Sequence, residues 1–359
     1  MLGPETVFVI GAGSSKELDL PIGHDLKRWI ATVLRLDKSS PAKVFADQNV
    51  QDAVFSYVDD VRIVDRHALL QRYVEASRII TKALPFAFSI DQYLDAQRGD
   101  EVIVRMAKIG IAAAILLAEQ NSKIGKPSNS ATKLSDLATR FPATVPNTWH
   151  ERLVQLLVAG KGPEHLDSLF DNVAFIIFNY DRCIEHYLLH ALTAYYNVEE
   201  TRIANAMRRL DIVHPYGQVG PLRWQEGQTV PFGAQTDFEL RNVADDILTF
   251  TESANEGVTD RVQRLMSQAN TVVFLGFGFL PQNVLLLTVP RFAMVSRVFF
   301  TCLGVSASDT EFVREDIENM LPIEPSLGRL DKDGPDFEIY EENATCRELI
   351  ERHWMRLTR

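Results

Sequence analysis

The hydrophobic pattern along the chain predicts four buried strands. Nearly continuous apolar runs occur at residues 6–10 (TVFVI), 173–178 (VAFIIF), 271–275 (TVVFL) and 297–302 (RVFFTC). Runs of this kind are typical of parallel strands covered by helices on both faces, because neither face of such a strand meets water. We therefore expect an α/β protein with a Rossmann-like parallel sheet.

Apolar residues between these runs recur at three- and four-residue spacing, which is the period of an amphipathic helix. This spacing predicts helices over residues 68–84, 100–121 and 183–195. Residues 265–290 carry no charged side chain, but glycine, proline and amide residues interrupt them at 276–283. We interpret this stretch as a strand, a loop and a buried helix rather than as a membrane span.

A long, mostly helical stretch separates the first predicted strand from the second. We interpret residues 41–164 as a helical module inserted over the cleft of a sheet domain, which residues 1–40 and 165–359 form together. Within this insertion, residues 122–133 (SKIGKPSNSATK) are predicted to form an exposed loop, because small, polar and turn-forming residues are concentrated there.

Composition and charge limit the cellular compartment and the binding partners that can be expected. The formal net charge of −11 over 359 residues argues against a broad nucleic-acid interface, which needs clustered lysine and arginine. The three cysteines are far apart and form no C-x-x-C pair, so we expect no zinc ribbon, no other metal site and no disulfide framework. No apolar leader precedes Lys16, so we expect a cytoplasmic protein without a membrane partner.

A glycine turn after the first predicted strand is the first candidate for ligand chemistry. It consists of Gly11, Ala12, Gly13, Ser14 and Ser15. Two glycines let backbone amides approach a diphosphate, and serine hydroxyls add donors. Lys16 replaces the third glycine of the dinucleotide fingerprint G-x-G-x-x-G, which speaks against a dehydrogenase. From these residues alone, a phosphate cradle and a tight turn without a ligand both stay open.

Three further loops follow apolar runs. They contain Asn179 with Asp181, then His214, and then Gly276, Phe277 and Gly278. Ligands bind outside the carboxyl ends of strands in an open parallel sheet, so we expect these loops to meet the glycine turn in one cleft. The alternatives are structural. Asn179 or Asp181 can cap the helix that begins near residue 182, and His214 can be a turn residue before proline.

Two other groups of side chains are interpreted as structural. Cys183, His186 and His190 share one helix face, but a zinc site needs three or four ligands and no second cluster completes the set. Ser89 and Asp91 stand at the start of a predicted helix, where both residue types are common as caps.

The order of the glycine, Asn/Asp and histidine motifs resembles the sirtuin superfamily. Its pattern is G-A-G-x-S, I/L-P, N-x-D, a later histidine and a G-T-S-like turn. This chain has GAGSS at 11–15, Leu20-Pro21, NYD at 179–181, His214 and GFG at 276–278. The resemblance spans nearly the whole chain except the helical insertion.

The sirtuin resemblance also implies a role for each matching residue. Asn179 orients water or ribose hydroxyls, and His214 accepts a proton. Asp181 contacts a ribose or nicotinamide group. The diphosphate is held by the glycine turn, through Gly11, Ala12, Gly13 and Ser15. Backbone amides of Gly276, Phe277 and Gly278 make further ribose and phosphate contacts.

Departures from the protein-deacylating sirtuins change the implied activity. Their four-cysteine zinc ribbon has no counterpart, since no cysteine occurs between Cys183 and Cys302, and Phe277 and Gly278 replace threonine and serine. The chain is more similar to sirtuin-like effectors of bacterial antiphage systems, which hydrolyse NAD+ to nicotinamide and ADP-ribose. That resemblance implies NAD+ as substrate, abortive infection by NAD+ depletion, and a homo-oligomer, an activating partner such as a HerA-type ATPase or an Argonaute-type sensor, or both.

Two alternative functions stay open. A zinc-free NAD-dependent protein deacylase or ADP-ribosyltransferase uses the same cleavage step, and a non-catalytic module senses NAD+ or an ADP-ribose derivative. The presence of both Asn179 and His214 favours catalysis, because a pure sensor needs neither. The loops do not decide between NAD+ and NADP+.

Overall fold

A computed structural model gives the fold of most of the chain. The residues that it describes are 2–3, 5–37, 39, 43–125, 147–236, 238–255, 257–323 and 337–358. The predicted loop at 122–133 lies outside these ranges from residue 126 onward.

A parallel sheet of six strands forms the centre of the described structure. Its strands are β1 (Thr6–Ile10), β2 (Val173–Ile177), β3 (Asp211–Val213), β4 (Thr271–Leu275), β5 (Arg297–Thr301) and β6 (Glu338–Glu342). Their order is β3-β2-β1-β4-β5-β6, which is the order of a doubly wound Rossmann-like sheet. The predicted fold class is confirmed, and the strand order reverses between β1 and β4.

The apolar pattern does not reveal β3 and β6, and the structure gives the reason. β1, β2 and β4 are buried at every position, as their continuous apolar runs predict. β3 and β6 are the two edges of the sheet, and both keep partly exposed positions. Because an edge strand has an open side, it needs no continuous apolar run and its sequence lacks the signal.

Helices cover both faces of the sheet. In chain order they are α1 (Ala12–Ser15), α2 (Gly23–Val33), α3 (Gln48–Asp59), α4 (Ile63–Ala83), α5 (Ile90–Ala96), α6 (Glu101–Asn121), α7 (Trp149–Val158), α8 (Cys183–Tyr196), α9 (Glu200–Met207), α10 (Leu240–Asp245), α11 (Phe250–Asn255), α12 (Val258–Gln268), α13 (Pro281–Leu287), α14 (Ala307–Met320), α15 (Cys346–Arg352) and α16 (Trp354–Leu357).

The helices predicted from periodicity are confirmed as α4, α6 and α8, with ends that shift by up to five residues. The uncharged stretch at 265–290 contains β4 and α13, as interpreted from its sequence. Within the described ranges, no helix combines the length and the apolarity needed to cross a membrane.

Side chains that alternate along β1 enter two apolar cores, one on each face of the sheet. Val7 and Val9 belong to the core that also contains the apolar faces of α3, α4 and α6. Phe8 and Ile10 belong to the core formed with α7, α8 and α9. The helices of the predicted insertion at 41–164 therefore divide between the faces, since α6 packs on α2 and α10 whereas α7 packs on α8 and α15. The domain boundaries stay a prediction.

A buried histidine in the second core gives the fold a dependence on pH. His150 is 1% exposed, its ring lies 4.1 Å from that of Trp149 and 5.4 Å from that of Tyr187, and neither ring nitrogen has a hydrogen-bond partner among the described residues. Burial lowers the pKa of His150 to about 3. The unfolded chain therefore binds a proton below about pH 6.5 that the folded chain excludes.

We predict that the free energy of unfolding falls as the pH decreases from about 6.5, by about 2 kcal/mol at pH 5 from His150 alone. His150→Leu removes this contribution. The stability of the variant relative to the natural chain should therefore rise by about 2 kcal/mol when the pH is lowered from 7.5 to 5. Urea unfolding at the two pH values measures it, with the exposed His67→Leu as the control. An equal loss of stability in the natural chain and in His150→Leu would contradict the prediction.

Candidate functional site

Four loops that follow neighbouring strands meet at the carboxyl edge of the sheet. The strand order places the loop after β3 beside the loop after β2, followed by the loops after β1 and β4. These loops carry the residues that the sequence singled out: His214, then Asn179 with Asp181, then residues 11–15, and then residues 276–278. The structure thus places the predicted site residues in one row along this edge.

The two glycine turns pack directly against each other, backbone to backbone. The Gly11 amide donates to the Leu275 carbonyl and the Gly13 amide to the Gly276 carbonyl, both at 3.0 Å. A Cβ atom on Gly11 would lie 2.5 Å from the Gly276 carbonyl oxygen, and one on Gly276 would lie 2.1 Å from the Ser14 nitrogen. This close approach explains the glycines at 11, 13 and 276 without reference to a ligand.

The open side of the paired turns is formed by Ala12 and Gly278, which are both exposed. A Cβ atom on Gly278 would meet nothing within 4 Å, so no packing contact requires glycine there. The amide of Ser14 donates to the Gly11 carbonyl, and with Gly11 and Gly13 it is already bonded within the protein. Ala12 and Gly278 are therefore the most accessible residues of the two turns.

Two other predicted contact residues point into the protein. Phe277 is 6% exposed, and its ring packs 5.1 Å from that of Phe178 and 4.9 Å from that of Phe279. The Ser14 hydroxyl is buried and has no partner among the described residues, whereas its carbonyl accepts a hydrogen bond from Trp149 Nε1 at 2.8 Å. Their side chains pack in the interior.

A buried hydrogen-bond chain joins the loop after β2 to the glycine turn. Asn179 Nδ2 donates to Ser15 Oγ at 2.9 Å and to the Gly11 carbonyl at 3.3 Å. Ser15 Oγ donates in turn to Asp181 Oδ2 at 3.0 Å, and Asp181 Oδ1 accepts from the Cys183 amide at 3.2 Å. Asp181 therefore supports the first turn of α8, as the structural alternative expects, while it also orients Ser15.

Burial raises the pKa of the Asp181 carboxyl, although hydrogen bonds from Cys183 and Ser15 oppose the shift. The carboxyl group is thus a hydrogen-bond acceptor in a poorly solvated position. The Asn179 amide is fixed by its Nδ2 donors, and its Oδ1 takes part in neither bond.

His214 lies beside Asn179, and both of its ring nitrogens are bonded. Nδ1 is 3.1 Å from the Asn179 carbonyl oxygen, and Nε2 is 2.8 Å from Glu185 Oε1. Burial opposes the charge on the ring, but the Glu185 carboxylate and the Asn179 carbonyl outweigh it and raise the pKa of His214. Glu185 was not among the predicted residues, because a single glutamate on an apolar helix gives no signal of a partner 29 positions away.

A second contact links the site to the predicted insertion at 41–164. The Tyr180 hydroxyl donates to the Asp91 carboxylate, and burial raises the pKa of Asp91. Ser89 caps α5 by accepting a hydrogen bond from the Gln92 amide at 3.0 Å, as predicted. Asp91, which was also predicted to be a cap, instead accepts the hydrogen bond from Tyr180. The loop that carries Asn179 is therefore connected to the start of α5.

A fully buried ion pair holds the long loop that follows His214. Arg182 and Glu119 are both 0% exposed, and Nη2 of Arg182 lies 2.5 Å from Glu119 Oε2. The guanidinium also donates to the carbonyls of Gly220, Val230 and Pro231. The pair thus connects α6 to residues 220–231 and to the start of α8.

The cysteine and histidine face of α8 is filled by packing. The His186 ring stacks on Phe232 at 4.0 Å with an interplanar angle of 2°, and meets the His190 ring edge-on at 4.5 Å. Cys183 is buried. In the part of the chain that the structure describes, no three histidine, cysteine or carboxylate side chains are grouped to hold a metal ion.

The fold and the row of loops are seen directly in the structure of this chain. The sirtuin resemblance depends on the order of short motifs, and it stays a prediction. Comparison with known proteins finds neither a family model nor a curated protein that matches this chain.

Proposed function

We propose that this chain is an NAD+ glycohydrolase that cleaves the bond between nicotinamide and ribose to give nicotinamide and ADP-ribose. The observation that carries the proposal is the position of Asn179. Its amide is held by Ser15 and Gly11 at the carboxyl edge of a Rossmann-ordered sheet, in contact with the first glycine turn. Dinucleotides bind at this edge of such sheets, near the point where the strand order reverses.

Cleavage of this bond does not need a strong acid catalyst. Positive charge develops on the ribose as the bond breaks, and nicotinamide leaves from a cationic state. The protein must hold the dinucleotide, stabilise the oxocarbenium-like state and orient a water molecule. In the proposal, Asn179 Oδ1 orients the water or a ribose hydroxyl, and Ala12 and Gly278 lie against the diphosphate.

The sirtuin resemblance implies that His214 is the proton acceptor. An imidazole near neutral pH suits that role. In this structure the ring must first release Glu185 or the Asn179 carbonyl, because both nitrogens are bonded.

The proposal extends to the cell through the resemblance to sirtuin-like defence effectors. We propose that the protein works in the cytoplasm as a homo-oligomer or with an activating partner, a HerA-type ATPase or an Argonaute-type sensor, and depletes NAD+ in infected bacteria. Low basal activity of the isolated chain is compatible with this proposal. Expression in bacteria with the candidate partner, followed by measurement of cellular NAD+ and survival during phage infection, tests it.

We predict that Asn179→Ala and His214→Ala each reduce NAD+ hydrolysis by about 100-fold or more, since a lost orienting or proton-transfer group costs that much. Chromatography of nicotinamide and ADP-ribose measures the rate. Asn205→Ala and His67→Ala are matched controls, because both side chains are exposed and lie on helices α9 and α4, outside the four loops. Thermal unfolding of each variant separates lost chemistry from lost folding.

Three results would contradict the proposal. Nicotinamide release that requires an acetylated peptide would support the deacylase instead. Unchanged NAD+ depletion and toxicity in cells that express Asn179→Ala or His214→Ala would remove the catalytic assignment. Tight NAD+ binding with no turnover, in the presence of the activating partner, would support the sensor.

A further inference from the structure

The hydrogen bonds of His214 determine which protons the ring carries. A backbone carbonyl can only accept, so the 3.1 Å contact with the Asn179 carbonyl requires a proton on Nδ1. Nε2 faces Glu185 Oε1 at 2.8 Å, and a carboxylate there also accepts a proton. When Glu185 is ionised, both nitrogens donate and the ring is an imidazolium cation.

The His214–Glu185 pair is buried, and each side chain is the charged partner of the other. The side chains of His214 and Glu185 are 8% and 1% exposed. The second carboxylate oxygen of Glu185, Oε2, is buried without a partner in the described part of the chain. Asp181 also favours the cation on His214, and the buried Glu119 is paired with Arg182. No cation other than His214 is bonded to Glu185 among the described residues.

We propose that Glu185 is a positioning residue that holds His214 as an imidazolium, so that His214 acts on the reaction through the Asn179 carbonyl and not by accepting a proton from the substrate. The Nδ1–H donor fixes the backbone of Asn179 from one side, while Ser15 and Gly11 fix its amide from the other. The catalytic part of this inference rests on the proposed NAD+ hydrolysis, whereas the state of the ring in the free protein does not.

The two possible roles of His214 predict opposite pH dependences. If the imidazolium is required, hydrolysis falls as the pH rises through the pKa of His214, which the structure places above its ordinary value. If His214 is the base, hydrolysis rises through the same pKa. Glu185→Gln keeps an acceptor for Nε2–H but removes the charge, so the falling limb should move to lower pH by about 1–3 units.

Nuclear magnetic resonance of the free protein tests the ring state without any turnover. We expect the His214 ring nitrogens to show the imidazolium at pH 7, and the carbonyl carbon of Asn179 to titrate with them. Both titrations should move together to lower pH in Glu185→Gln. Glu342→Gln is the matched control, because Glu342 contacts Nε2 of His353 at 2.9 Å on another part of the fold. It should leave the His214 and Asn179 signals unchanged.

Each outcome decides a separate question. A neutral His214 ring at pH 7 in the natural chain, or an Asn179 carbonyl signal that does not follow it, would overturn the inference. A hydrolysis rate that rises through the pKa of His214 would do the same for its catalytic part. If the ring titrates as expected but NAD+ is not cleaved even with an activating partner, the proposed function fails and the ion pair stands.

Discussion

Replacement of Gly276 by alanine is expected to destabilise the fold by about 2–5 kcal/mol. Two independent effects add at this position. The backbone has φ of +59°, a left-handed conformation that a Cβ atom disfavours, and that atom would lie 2.1 Å from the Ser14 nitrogen and 2.4 Å from the Gly13 carbonyl carbon. Neither neighbour is a flexible side chain, so the two turns must separate. Urea unfolding of the purified variant measures the loss.

Gly278→Ala is the matched control for this prediction, two residues along the same loop. Its backbone is outside the left-handed region and its Cβ atom would meet nothing within 4 Å. We expect its free energy of unfolding to stay within about 0.5 kcal/mol of the natural chain. Equal stability of the two variants would show that the turns do not pack as described. A KM for NAD+ raised by Gly278→Ala alone would place the substrate on the open side of the turns.

The apolar pattern predicts the centre of this fold because the central strands have no solvent-facing side. β1, β2, β4 and β5 are therefore readable as short apolar runs, and their order along the chain matches an α/β architecture. β3 has three residues and β6 reads EIYEE, so neither carries a signal that distinguishes it from a loop. The limit is physical, since edge strands are specified mainly by their partners.

The positions of the site loops were predictable for the same reason, because parallel strands bring their carboxyl ends to one edge. The contacts between these loops were not. Asn179 and Gly11 are 168 residues apart, and Tyr180 and Asp91 are 89 apart, so no local spacing reveals either contact. The motif alone also did not show why glycine is needed at these positions. Gly11 and Gly276 each leave room for the backbone of the other turn.

We expect Glu119→Ala to destabilise the fold by about 3–5 kcal/mol, because it leaves a buried guanidinium without its counter-charge. The pair is fully satisfied in the structure. Arg182 donates from Nε and both Nη atoms to Glu119 and to three carbonyls, which accounts for its five N–H groups. Glu119 accepts from this side chain and from the amides of Arg182 and Gly233. Denaturant unfolding measures the loss.

Glu101→Ala is the control on the same helix. Glu101 pairs with Arg105 one turn away, but its side chain is 72% exposed. Water screens such a pair, so we expect a loss of at most about 1 kcal/mol. If the two variants lose equal stability, the buried pair is not the anchor that its hydrogen bonds indicate.

Arg182→Lys separates the charge of the pair from its geometry. Lysine keeps one positive charge but has three N–H donors on a single nitrogen, so it cannot reach Glu119 and all three loop carbonyls together. We expect it to lose about 2 kcal/mol or more of stability. Gly233 lies close to these carbonyls in the loop that follows His214, and its amide donates a hydrogen bond to Glu119. Hydrogen exchange should therefore increase first at the Gly233 amide. A variant that loses stability while this amide stays protected would mean that the ion pair supports α6 and α8 alone, and that the loop beside the site is held by other contacts.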